Sequence, residues 1–286
     1  MPPRDTRTGP AARAENHHPK VIIVMKSVRL SADGTGRSRP ESLPLPFVAT
    51  GPAATAADRA ATPEPDPAGS VVAVHPLALP AGHGEMWAGE DTRQLTFVVS
   101  GGIEVETSQA RVQLGPGDVL LLDAGLRADH RLTHPEGSRV LRVELLPSWR
   151  PTGVVPPPVE PPAPDRRTTL REMYVAEDVA HFRAFDRLFD DAGPQRLDGL
   201  KFIAFSPGHA GDWHTDATVN LVCVASGTLE LEVGGDDAVQ RLVPGDVCLV
   251  QDQYGQGHLL RAHGETRILA LTLPDLHHWN STEGRG

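Results

Sequence analysis

Residues 206–233 read SPGHAGDWHTDATVNLVCVASGTLELEV, and residues 80–107 read PAGHGEMWAGEDTRQLTFVVSGGIEVET. At an offset of 126 they align Gly82-His83 with Gly208-His209, Trp87 with Trp213, and Ser100-Gly101 with Ser226-Gly227. The same offset sets Ile103-Glu104-Val105-Glu106 over Leu229-Glu230-Leu231-Glu232, two runs in which every second residue is apolar, as in a strand with one buried face. Past the turn around Gly234-Gly235-Asp236-Asp237 the offset rises to 128, which brings Pro116-Gly117-Asp118-Val119 onto Pro244-Gly245-Asp246-Val247 and His130 onto His258. Two extra residues in a surface turn cost little. A strand-rich unit of about 75 to 80 residues, present twice, hides its sheet edges most simply as a small barrel or jelly roll in each half.

The rest of the chain divides around these units. Of the 27 prolines, 11 fall in residues 1–69 and seven in 151–164. Residues 1–69, with Phe47 as their one aromatic, lack the apolar surface to offset the entropy of ordering and read as a disordered extension. Within it, Met25 offers an alternative start of translation. Residues 151–166 read as an extended proline-rich linker. In 167–195, Thr169 and Glu172 suggest a capping box, and Met173, Val179, Phe182, Phe185 and Phe189 recur at spacings that predict one amphipathic helix. The domains expected are therefore a first barrel over 70–150, a helical connector, and a second barrel over 196–276.

Composition narrows the function. The 286 residues carry a net charge of −10, which disfavours nucleic acid and anionic lipid as partners. No run approaches the roughly 18 apolar residues of a membrane span; Val21–Met25 falls below even a signal peptide's apolar stretch. A cytoplasmic chain is expected. Cys223 and Cys248, both in apolar runs, read as reduced core fillers.

Gly208, His214, Asp216, Asn220 and Gly227 stand at the spacing of the first cupin motif, and Pro244-Gly245-Asp246 resembles the opening of the second. The chain thus resembles a bicupin, the two-barrel arrangement of oxalate decarboxylases and several ring-cleaving dioxygenases. The stretch Gln251-Asp252 with Gly255-Gln256-Gly257-His258 is similar to that of small bacterial cupins. The resemblance covers about residues 71–146 and 197–273 and implies an all-β chain of two tandem barrels. Cupins host isomerases, decarboxylases, oxygenases, cyclases, storage proteins and sensors, so fold alone sets no reaction.

An active cupin supplies two His and a Glu from its first motif and one His from its second, all onto one divalent metal. By that resemblance His214 takes the first His position, Asp216 the second and Asn220 the Glu position, while Gln256 stands where the later His is usual, with His258 two residues on. Residues 214, 216 and 220 share parity, so on one regular strand they face one side. His214, Asp216 and His258 then form two imidazoles and a carboxylate, the composition of the facial triad of non-haem Fe(II). Mn(II), Ni(II) and Zn(II) accept similar ligands. Asn220 and Gln256 are expected to hydrogen-bond the reacting group. Trp213, repeated as Trp87, reads mainly as core or rim packing. The first half aligns Ala88, Glu90, Gln94 and His130 with the four positions and reads as scaffold, since Ala88 ligates nothing.

Three functions follow. The first is a metal-dependent enzyme, by preference an oxygenase, acting on a small organic molecule in the second barrel. The second uses the same Lewis acid as an isomerase, cyclase or decarboxylase. The third is a ligand-binding or regulatory bicupin without turnover, favoured by the departures at Asp216 and Asn220. Cupin resemblance also implies a homodimer, unless the duplication meets that need within one chain.

Overall fold

The computed structural model describes residues 21–24, 27–50, 71–86, 92–126, 129–150, 168–190, 193–235 and 238–274. The described residues are all-β apart from one 3-10 turn, Asp186–Phe189. Among them no helix is long and apolar enough to cross a membrane.

The first half packs two sheets. One runs Val21–Val24, Ala110–Leu114, Ile103–Glu106, Arg131–His134, His83–Glu85. The other runs Gln195–Arg196, Val71–Leu79, Ser138–Leu145, Arg93–Gly101, Val119–Leu122, Ser27–Ala32, Ser38–Ser42. Ile103, Val105, Val112 and Leu132 of the smaller sheet meet Val28, Leu30, Val98, Leu120 and Val140 of the larger, which fills this barrel with aliphatic side chains. In the second half Val219–Val233 and His258–Leu273 pair along most of their length and carry the chain through both faces of the barrel. Their register shifts around Ser226, where Gly227 adopts φ +76° and a Cβ would stand 2.4 Å from the Glu265 carbonyl. Only glycine meets both conditions there. The strand bends at the same point at which the first half breaks, between Arg93–Gly101 and Ile103–Glu106.

The largest core lies between the barrels. Leu95, Phe97, Val99, Leu141 and Val143 of the first half pack against Leu200, Phe202, Leu221, Leu269 and Leu271 of the second. These strands are therefore apolar on both faces, inward to their own barrel and outward to the neighbour, which is why their sequences run as continuous Val and Leu instead of alternating. The two Pro-Gly-Asp turns meet across this interface. A Cβ on Gly117 would lie 2.7 Å from Pro244 Cβ, and one on Gly245 would lie 2.6 Å from Pro116 Cβ.

Two expectations are corrected. Residues 27–50 of the extension read as disordered are strands: Ser27–Ala32 pairs in parallel with Val119–Leu122, and Val48–Thr50 pairs in parallel with Gly199–Phe205 of the other barrel. Leu43 and Leu45 are buried in the shared core, and Arg29 binds Asp123 at 2.7 Å. The segment therefore recovers through tertiary burial what its composition lacks. Residues 21–24, ahead of Met25, pair with Ala110–Leu114. The rest of the extension and the linker over 151–166 lie outside the described residues.

The helical connector is the second correction. Leu170–Ala176 and Val179–Ala184 form a hairpin that adds in parallel to Val247–Gln251. Its turn, Glu177-Asp178, holds both residues at positive φ (50° and 63°), as a two-residue hairpin loop demands. No glycine signals that turn, and of the phenylalanines that mimicked a helical period Phe182 lies on the strand, Phe185 precedes the 3-10 turn and Phe189 ends it. Glu172, assigned to a capping box, is buried and receives Arg183 at 2.7 Å and Gln251 at 2.6 Å.

The corrections share one cause. Each half begins with a hairpin laid in parallel on its own barrel, followed by a segment that crosses to the other: Val48–Thr50 to the second, Gln195–Arg196 to the first. Arg267 stands 5.6 Å over the Phe47 ring, and its counterpart Arg139 stands 5.6 Å over Phe189. The duplication is thus longer than the motifs that reveal it.

Candidate functional site

His214 and His258 are brought together. Their backbones exchange hydrogen bonds of 3.0 and 2.8 Å in an isolated bridge, and their rings stand 4.5 Å apart, centroid to centroid. The glycine ahead of His258 explains the approach. Gly257 has φ +74°, and a Cβ there would collide with the His214 carbonyl.

Each ring has one nitrogen committed. His258 is 3% exposed and its Nδ1 lies 2.6 Å from the carboxylate of Asp252, which is fully buried. His214 is exposed, and its Nδ1 lies 2.8 Å from the Asp212 carbonyl. A carbonyl only accepts, and so does an ionised carboxylate, so Nδ1 is the donor in both, and in the neutral form of each ring the lone pair is at Nε2. Histidine ligands to metals have their other ring nitrogen held in this way.

Asp216 and Asn220 form a separate pair. Asn220 Nδ2 donates to Asp216 Oδ2 at 3.1 Å and Asn220 Oδ1 accepts from Thr272 Oγ1 at 3.0 Å. The assumption of one regular strand fails here. His214 sits in a lone bridge, Asp216 in a loop, and only Asn220 on the strand Val219–Val233. Among the described residues no group of three or more His, Cys, Asp or Glu side chains is placed to hold a metal ion. What the fold brings together is therefore two imidazoles, while the carboxylate expected beside them is bonded to Asn220.

Gln256 is exposed, its N–H bound to the Asp178 carbonyl at 2.9 Å, and it lines a groove with Trp213 away from Asp216 and Asn220. Trp213, expected as packing, is 46% exposed. Sequence reasoning picked out Asp252 only as part of the Gln251-Asp252 stretch, without a role, and did not pick out Thr272. The signal available for Asp252 was a lone acid closing the apolar strand Val247–Gln251, six residues ahead of a histidine.

In the first half, Ala88 and Glu90 lie outside the described residues. His130 is buried with Nδ1 3.1 Å from Ser38 Oγ, a hydroxyl from the N-terminal hairpin. Further along this barrel Glu85 meets Arg142 and lies 3.6 Å from His134 Nε2, while His134 Nδ1 is 2.6 Å from Ser138 Oγ. Burial alone would raise the Glu85 carboxyl, but the His134 ring and the Arg142 guanidinium outweigh it and hold it at about 2. Both cysteines are free and buried; burial raises both thiols, that of Cys248 to about 12. They stand where the first half has the buried Phe97 and Leu120, as core fillers should.

No family model matches the chain, and no curated protein matches it. Among solved structures it is similar to a cupin 2 conserved barrel domain protein from Leptotrichia buccalis, at 12% identity over 71% of this chain and 88% of that one, with a TM-score of 0.38. It is similar to a salicylate 1,2-dioxygenase from Pseudaminobacter salicylatoxidans, at 12% identity over 74% of each chain and a TM-score of 0.34. An oxalate decarboxylase from Lactobacillus farciminis matches at 14% identity over 73% of this chain and 78% of that one, with a TM-score of 0.28. These are likenesses to cupin-fold proteins too distant to carry a residue's role across.

Proposed function

We propose that the chain is a metal-dependent bicupin enzyme whose second barrel holds a divalent cation through His214 and His258 and acts there on a small organic molecule. The observation that carries this reading is the cross-strand histidine pair with both Nδ1 atoms already donated, to the Asp212 carbonyl and to the buried Asp252 carboxylate, and both Nε2 lone pairs left over. A bound cation supplies a Lewis acid that polarises a substrate oxygen. Asp252 fixes the tautomer and orientation of His258 and favours electron density at Nε2. Thr272 orients the Asn220 amide, which in turn holds Asp216. Oxygenation on an iron triad needs Asp216 as a third ligand, whereas isomerase, cyclase or decarboxylase chemistry needs only the polarised oxygen.

Titration of metal-free protein with Fe(II) under anaerobic conditions, and with Mn(II), Ni(II) and Zn(II), tests the reading by calorimetry. One equivalent is expected to bind wild-type chain, with affinity lowered by about tenfold or more in His214→Ala and in His258→Gln. Saturable binding of none of the four ions, or binding indifferent to both substitutions, sinks the proposal. Asp216→Asn then separates the chemistries: a tenfold loss of Fe(II) affinity places the carboxylate on the metal and favours oxygenation, while unchanged affinity favours the other reactions.

A further inference from the structure

Near the histidine pair, but lined by other side chains, lies a groove of about 530 Å³ bounded by Trp213, Glu232, Val233, Gly234 and Gln256. It gathers two residues that the paired histidines leave unused: Trp213, 46% exposed, and Gln256, also exposed. Lone exposed aromatics are common on proteins and mean little alone. Here the indole converges with a carboxylate and a side-chain amide on one concavity.

The groove is built by a local difference between the halves. In the first half the matching turn is tight, with Thr107 Oγ1 accepting from Ala110 N–H at 3.0 Å. The second half has two more residues at that place and begins the turn with Gly234-Gly235. A Cβ on Gly234 would stand 2.5 Å from Gln256 Oε1, and one on Gly235 would run into the His181 ring. Gly234 therefore leaves the space into which Gln256 reaches, and Gly235 leaves room for the His181 ring.

The charge of the lining selects the ligand. It holds one carboxylate, one amide and one indole, and no basic side chain. A guanidinium, that of Arg261, is bonded to Glu232 and is shared with Glu230 at 3.2 Å. Glu230 has in addition Arg241 at 2.8 Å and His263 at 3.1 Å, while Glu232 has, among the described residues, Arg261 as its one ion-pair partner. An indole face attracts cations through its quadrupole, and a partly exposed carboxylate beside it adds to that attraction.

We propose that this groove is a binding site for a small flat organic cation, an amidinium, guanidinium or protonated aromatic amine. The ligand lies against the Trp213 indole, directs its charge to Glu232 and donates an N–H to the Gln256 amide oxygen. The site does not depend on a metal at His214 and His258, so it stands or falls separately from the function proposed above.

The test uses metal-free full-length chain and three isosteric probes: benzamidine as the cation, benzamide as the neutral form and benzoate as the anion. The indole N–H resonance of Trp213, identified by its loss in Trp213→Phe, reports occupancy by NMR. Benzamidine is expected to shift that resonance saturably and to bind about tenfold more tightly than benzamide or benzoate. Trp213→Ala, followed by calorimetry because it lacks the reporting indole, and Glu232→Gln are each expected to weaken benzamidine by about fivefold, with circular dichroism confirming that both remain folded. Benzoate or benzamide binding as well as benzamidine, benzamidine failing to shift the resonance, or folded Trp213→Ala and Glu232→Gln both binding like wild type would each overturn the proposal.

Discussion

His258 and His130 occupy corresponding places in the two barrels and both are buried, yet they are held differently. His258 takes its Nδ1 partner from a carboxylate of its own barrel, Asp252, and faces a second imidazole. His130 has beside its Nδ1 the hydroxyl of Ser38, delivered by a hairpin some ninety residues earlier in the chain (|i−j| = 92). The Asp252 position in the first half is Ala124, and the His214 position is Ala88. Duplication therefore conserved the architecture while the chemistry at equivalent points diverged. One half has a paired imidazole, and the other has the cluster of Glu85, Arg142 and His134 at positions where the second half has Gly211, Ala270 and Ala262.

The comparison is broken most forcefully through the segments that cross between barrels. Leu45, from the N-terminal segment, and Leu188, from the connector, are both buried in the shared core. Leu45→Ala and Leu188→Ala are each expected to destabilise the chain by about 2–5 kcal/mol in urea unfolding. An unaffected Leu45→Ala would restore the view that the N-terminal residues are an appendage.

The meeting of the two Pro-Gly-Asp turns sharpens the comparison. Gly117 and Gly245 have φ of +87° and +90°, and a Cβ on either would crowd the opposite turn. Gly117→Ala and Gly245→Ala should each cost about 1–3 kcal/mol from backbone strain, and more from the collision. Similar losses in chemical denaturation support equivalence of the halves across the interface. A large loss in one with none in the other breaks it.

The smallest effect belongs to a group found in one half only. Glu85 titrates at about 2 in the folded chain against 4.5 ordinarily. Because the folded value is the lower, its stabilisation is complete above pH 4.5 and disappears as pH falls from 4.5 toward 2. Allowing for solvent screening at this partly exposed carboxylate, the stability lost over that window is about 1–2 kcal/mol. Unfolding midpoints measured across it should flatten in Glu85→Gln, and a variant with the same slope as wild type would remove Glu85 from the account.

The fold was legible because its signals are local and repeated. Alternating apolar residues at Ile103–Glu106 and Leu229–Glu232, glycines at matching turns and two Pro-Gly-Asp motifs each constrain a few residues of backbone and recur at nearly constant spacing. The hairpin over 170–184 was not legible: its turn lacks glycine, and its stability comes from a neighbouring strand distant in sequence. Residues 27–50 failed for the same reason, since their burial is supplied by two barrels that lie later in the chain.

The candidate site divides along the same line. The residue types, His214 and His258 with Asp216 and Asn220 close by, and the glycine that lets the two histidines meet, were present in the order of the amino acids. Only the folded chain decided that the histidines face each other, that Asp252 holds one of them, that Asp216 bonds to Asn220, and that Gln256 turns away to a groove with Trp213. Local sequence sets which chemical groups are available and how the backbone turns. Which of them share a hydrogen bond depends on strand register and loop path, and those are settled by packing between segments far apart in the chain.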